Sequence, residues 1–121
     1  DGNHGDDFIR GQAGNDTILG DDGDDTIAGD DGRDLIFGQD GDDMIDGNGA
    51  ADTIVGGDGA DVLLGGGSND TILGEQGDDT INGNSGTDLA STGEGADTVS
   101  DVEIIDESFT LSATLLSGLD V

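Results

Sequence analysis

A chain of 121 residues, 31% hydrophobic, with three Phe and neither Trp nor Tyr, has material for one domain and none for a large aromatic core. Thirty acidic residues against two basic ones give a formal net charge of −28, which makes the bare chain self-repelling; with only Arg10 and Arg33 to neutralise phosphate, nucleic acid and anionic membrane are disfavoured as partners. No cysteine is present to form disulfides or thiolate metal sites, and no apolar run approaches the roughly 20 residues of a membrane span.

From Gly2 the chain keeps a period of nine without insertion or deletion: GNHGDDFIR, GQAGNDTIL, GDDGDDTIA, GDDGRDLIF, GQDGDDMID, GNGAADTIV, GGDGADVLL, GGGSNDTIL, GEQGDDTIN, GNSGTDLAS and TGEGADTVS, eleven units ending at Ser100. Glycine opens ten of them, Thr92 being the exception, and returns at the fourth place in nine, with Ala50 and Ser68 in the other two. Asp stands sixth in all eleven, and an aliphatic residue stands eighth, from Ile9, Ile18 and Ile27 to Ala90 and Val99.

Glycine at fixed offsets supplies positive-φ backbone, so the first six residues of each unit read as a turn. The last three, such as TIL or LIF, are β-prone and long enough for a short strand, with the eighth residue inward and the seventh and ninth outward. Two units then make a coil of eighteen residues, strand-turn-strand-turn. Coils stacked about 4.8 Å apart pair each unit with the unit two places away, giving a short rod roughly 25 Å long with a thin aliphatic spine between two small parallel sheets.

In this geometry alternate turns share an edge. One edge carries Asp7, Asp25, Asp43, Asp61, Asp79 and Asp97, and the other carries Asp16, Asp34, Asp52, Asp70 and Asp88. Carboxylates stacked so closely do not all stay ionised unaided. A hard cation between successive turns resolves the conflict, because carboxylates and glycine-exposed carbonyls are the oxygen ligands Ca²⁺ prefers, whereas Mg²⁺ keeps its waters and demands a strict octahedron. Turns divided six and five leave five and four gaps, so the chain has room for nine Ca²⁺ at most.

These units resemble the RTX, or haemolysin-type, nonapeptide repeat G-G-x-G-x-D-x-U-x, where U is a large aliphatic residue, and the resemblance covers residues 2–100. It implies an all-β fold, a parallel β-roll (a right-handed β-solenoid with two nonapeptide units per coil), in which each Ca²⁺ lies between neighbouring turns, held by backbone carbonyls and sixth-position Asp. Carried over, the metal ligands are the eleven aspartates just named. The chain departs from the pattern at the second position, where only Gly57, Gly66 and Gly93 match, and at Ala50 and Ser68. Both of the latter fall on the five-turn edge, so sites flanking Asp52 and Asp70 are expected to be weaker or more mobile than those of the six-turn edge.

An EF-hand, which needs D-x-[DN]-x-[DN]-G, a closing Glu and flanking helices, fits no stretch. A structureless acidic linker does not hold a nine-residue register with an aliphatic residue at a fixed place. His4, the one imidazole, reads as a solvated turn residue, and no Ser has a plausible His partner, so the domain itself is expected to be no enzyme.

The ninth positions of even units, Leu19, Phe37, Val55, Leu73 and Ser91, form an outward stripe flanked by Thr17, Leu35, Thr53, Thr71 and Leu89, a candidate contact for a neighbouring domain or for self-association. A threonine ladder of the ice-binding kind is interrupted there by Leu35 and Leu89. From Asp101 the register stops, and residues 101–121 read as a cap on the last coil, with a short helix or strand pair over Phe109 to Leu119. The expected function is a calcium-binding module of a secreted or cell-surface protein, bacterial and exported by type I secretion as the resemblance implies, which folds on meeting extracellular calcium. The alternatives are the accessory part of an exported enzyme and an adhesion or surface-array module.

Overall fold

The computed structural model describes residues 1–105. Its strands are β1 (Phe8–Arg10), β2 (Thr17–Asp22), β3 (Thr26–Ala28), β4 (Leu35–Asp40), β5 (Met44–Asp46), β6 (Thr53–Asp58), β7 (Val62–Gly67), β8 (Thr71–Gln76), β9 (Thr80–Ser85), β10 (Leu89–Glu94), β11 (Thr98–Ser100) and β12 (Ile104–Ile105). No helix occurs among the described residues. Odd strands form one six-stranded sheet, β1-β3-β5-β7-β9-β11, and even strands the other, β12-β10-β8-β6-β4-β2. Every pairing is parallel, and the register joins eighth positions eighteen residues apart, as in Ile27↔Ile45, Ile45↔Leu63 and Ile36↔Ile54. The chain is a parallel β-roll of about five coils.

The spine follows from that register. Ile18, Ile27, Ile36, Ile45, Ile54, Leu63, Ile72, Ile81 and Ala90 are buried, while Ile9 and Val99 pack against them half-buried at the ends. Each inner side chain touches its like above and below, so a missing one leaves a gap its stiff neighbours cannot close. Ile45→Ala is therefore expected to cost about 2–5 kcal/mol in the calcium-loaded protein. Ile9→Ala, at the half-buried end, should cost less than half as much, both read as shifts in urea midpoint.

Two features depart from the expected turn-and-strand division. Seven strands run six residues, because pairing resumes after the first position and carries through the next unit's second and third residues, as in Leu19↔Phe37 followed by Asp21↔Gln39. Beyond Ser100 the eighteen-residue step gives way to fifteen: β12 pairs Leu89↔Ile104 and Ala90↔Ile105. Only Asp101–Glu103 separate β11 from β12, and Val102 there packs against the spine. The helix or strand pair expected over Phe109 to Leu119 lies outside the described residues.

Candidate metal centre

The sixth-position aspartates form the two expected files, one along each edge. Asp25, Asp34, Asp43, Asp52, Asp61, Asp70, Asp79 and Asp88 are at most 2% exposed, and Asp7, Asp16 and Asp97 at the ends are half-buried. Each inner carboxylate is held by the coil before it. The backbone N–H of Asp7 donates to Asp25 Oδ1, that of Asp25 to Asp43 Oδ1 and that of Asp43 to Asp61 Oδ1, each at 2.8 Å. The other edge repeats this from Asp16 to Asp34, Asp52, Asp70 and Asp88, again at 2.8 Å.

The second oxygen is different. Oδ2 of all eleven sixth-position aspartates is buried without a hydrogen-bond partner. Such an atom costs about 1–3 kcal/mol or more when left alone, and a file of them is not tolerated without a counter-charge. The opening glycine lies close to it and to a carbonyl of the next coil. A Cβ placed on Gly29 would lie 2.6 Å from Asp34 Oδ2 and 2.8 Å from the Gly47 carbonyl oxygen; one on Gly65 would lie 2.6 Å from Asp70 Oδ2 and 2.7 Å from the Gly83 oxygen. The opening glycine is therefore not chosen for positive φ, which it does not adopt. It leaves room beside its backbone for both a carboxylate oxygen and a carbonyl of the next coil.

Positive φ belongs instead to the second and fourth positions. Every second-position residue has it, including Gln12 at 76°, Gln39 at 85° and Glu75 at 80°, which explains why glycine suits that place. At the fourth position the edges differ. On the six-turn edge Gly5, Gly23, Gly41, Gly59 and Gly77 each donate N–H to the third-position carbonyl two units on, at 2.7–2.9 Å. On the five-turn edge Gly14 alone does so among the described residues, at 2.9 Å. Ala50 and Ser68 sit there at φ 73° and 85°, while fourth-position glycines elsewhere lie between 98° and 142°.

Burial acts on the carboxyls in the same sense. It pushes Asp43 and Asp52 up to about 6 and Asp61 up to about 7, with neighbouring carboxylates adding to the rise and the backbone N–H bond opposing it. Asp70 and Asp79 are raised for the same first reason. Among the described residues no three acidic or imidazole side chains converge on one point, so a cation here has to draw on backbone carbonyls as well. With that completion the residues fit a hard cation.

Three contacts were not anticipated from the sequence. A second ladder runs at the fifth position in the opposite sense: Asp24 N–H donates to Asp6 Oδ1, Asp42 N–H to Asp24 Oδ1 and Ala60 N–H to Asp42 Oδ1, at 2.8–3.0 Å. Its signal was the Asp or Asn in fifth place of units 1, 2, 3, 5, 8 and 9. Arg10 Nε and one terminal nitrogen hold Asp30 in a fork at 2.8 and 2.7 Å, and this keeps the Asp30 carboxyl below the usual carboxylate range. His4 is exposed, as expected of a turn residue, and its Nδ1 lies 2.8 Å from Asp22 Oδ2. Thr92, the one opening residue with a side chain, is buried with an unpartnered hydroxyl.

Stacked acidic turns with two files of buried, unpartnered carboxylate oxygens mark a β-solenoid fit for cations. The model of the RTX calcium-binding nonapeptide repeat, four copies long, matches residues 1–36, 19–54, 28–63, 37–72 and 64–99. The chain belongs to the RTX calcium-binding nonapeptide repeat family. Comparison with curated proteins gives no match.

Proposed function

We propose that this domain is a calcium-binding module of an exported protein, that its ligands are the eleven sixth-position aspartates with carbonyls of the adjoining turns, and that calcium drives its folding. The observation that carries the reading is the eleven buried, unpartnered Oδ2 atoms in two files. Ca²⁺ fits better than Mg²⁺ because a site completed by backbone carbonyls has neither the waters nor the strict octahedron that Mg²⁺ keeps. Extracellular modules work at about 10⁻⁴–10⁻³ M, so at cytosolic calcium the chain stays unfolded and fit for export, and it folds outside. Repeats of this family are typical of exported bacterial proteins, which supports secretion, with the type I route as its finer form. Residues 101–121 then serve as the cap of the last coil.

Equilibrium dialysis with radioactive calcium tests the reading. We expect saturable uptake of several ions, nine at most, in two classes: a tight one on the six-turn edge and a weaker one on the five-turn edge, which carries Ala50 and Ser68 and where the fourth-position ladder stops after Gly14 among the described residues. A single class would remove the edge distinction. No uptake at about 10 mM calcium, or equal uptake of magnesium, would remove the function.

A second reading, that the domain contacts a neighbouring domain or a second copy, is favoured by the half-buried file Leu19, Phe37, Val55 and Leu73, which runs in register across β2, β4, β6 and β8. Calcium-dependent self-association lost in Phe37→Asp supports it, and a monomer at all calcium levels overturns it. An accessory role in an exported enzyme rests on a catalytic domain elsewhere in a longer protein.

A further inference from the structure

We infer that each sixth-position aspartate carries two separable functions: Oδ1 fastens its coil to the preceding one through a hydrogen bond that needs neither charge nor metal, and only Oδ2 serves the ion. The inference goes beyond the proposed calcium site and rests on that reading for the role of Oδ2 alone.

Nine such bonds, at 2.8–3.0 Å, link every described coil to the next, from Asp7 N–H onto Asp25 to Asp79 N–H onto Asp97. Seven of the nine donors, from Asp25 to Asp79, belong to residues at most 2% exposed, where an N–H deprived of its acceptor has no water to turn to. The acceptor asked for is an oxygen on a two-carbon stem, and nothing in that requirement is ionic. Asparagine supplies the same oxygen at the same reach. Its amide nitrogen then takes the place of Oδ2, so a neutral donor replaces a buried, unpaired acceptor. Alanine removes the same charge and supplies no acceptor.

The test compares two full-length chains in which Asp25, Asp34, Asp43, Asp52, Asp61, Asp70, Asp79, Asp88 and Asp97 are all changed, to Asn in one and to Ala in the other. In chelator at pH 7.5, far-UV circular dichroism is expected to show β structure for the Asn chain and disorder for the Ala chain. Calcium should change neither. Equal disorder in both chains, or equal order, overturns the inference. A single-site readout stands beside it: in the calcium-saturated protein the Asp43 amide should exchange at least tenfold faster in Asp61→Ala than in Asp61→Asn, and equal rates would again overturn it. The chelator comparison contains no metal, so it judges the hydrogen bond even if the calcium reading fails. Failure of that reading would show separately, as an absence of calcium uptake by the unaltered chain.

Discussion

Stripped of calcium at pH 7.5, the domain is expected to lose its β signal entirely, and to regain it cooperatively on addition of CaCl₂ but not MgCl₂. The reason is a balance of two weaknesses. The spine supplies one aliphatic side chain per nine residues, and the turns bury eight carboxylates to 2% exposure or less in a chain of net charge −28. Calcium reverses both by mass action: at tenfold excess over its dissociation constant each site contributes about 1.4 kcal/mol. A handful of sites thus spans the roughly 5–15 kcal/mol that separates folded from unfolded in an ordinary domain.

Acid should partly substitute for the metal. Asp43, Asp52 and Asp61 are raised to about 6 to 7 in the metal-free roll, chiefly by burial, against about 3.9 in an unfolded chain. Between these values the folded state binds more protons than the unfolded one, so its stability rises as pH falls. The cost of burying these groups ionised is complete above about pH 7 and absent below about pH 4. Dialysed free of metal, the chain should therefore gain β signal between pH 7.5 and 4.5. A flat profile over that range, or a roll already folded in chelator at pH 7.5, would show that the aspartates are not what holds the metal-free chain open.

The period of nine made most of this fold legible, because a repeat converts a local pattern into a register: Ile in eighth place has to stack on Ile eighteen residues away, and Asp in sixth place on Asp. What the pattern hid were the contacts between coils. Gly20 and Gly23 look alike in sequence, yet Gly23 has a φ of 130° and lies close against the Gly5 carbonyl of the preceding coil, whereas Gly20, without positive φ, lies close to Asp25 Oδ2 and the Gly38 carbonyl of the next. That distinction appears only when the coils are stacked. The fork from Arg10 to Asp30 and the fifteen-residue step to β12 were hidden for another reason: each occurs once, and a repeat shows only what recurs.

Gly38→Ala should be severely damaging on the six-turn edge, although it adds one methyl group and asks for no positive φ. A Cβ there would press on Asp43 Oδ2 and stand 2.7 Å from the Gly56 carbonyl oxygen. The carboxylate cannot swing aside without releasing the Asp25 N–H that holds its Oδ1 at 2.8 Å. The carbonyl cannot withdraw without parting two coils whose strands are paired on either side of it, Phe37↔Val55 and Gln39↔Gly57. Overpacking alone costs about 1–3 kcal/mol, and here it also displaces the oxygen proposed to meet the ion. We expect the calcium midpoint for folding to rise at least tenfold, or folding to fail. Gly67→Ala is the matched control: its Cβ would meet nothing nearer than Asn48 O at 3.7 Å, its φ is not positive, and its midpoint should stay within twofold of the parent chain. The same circular dichroism titration reads both, and a Gly38→Ala chain that folds at the parent's calcium concentration would mean that the opening glycine is not what lets successive turns approach.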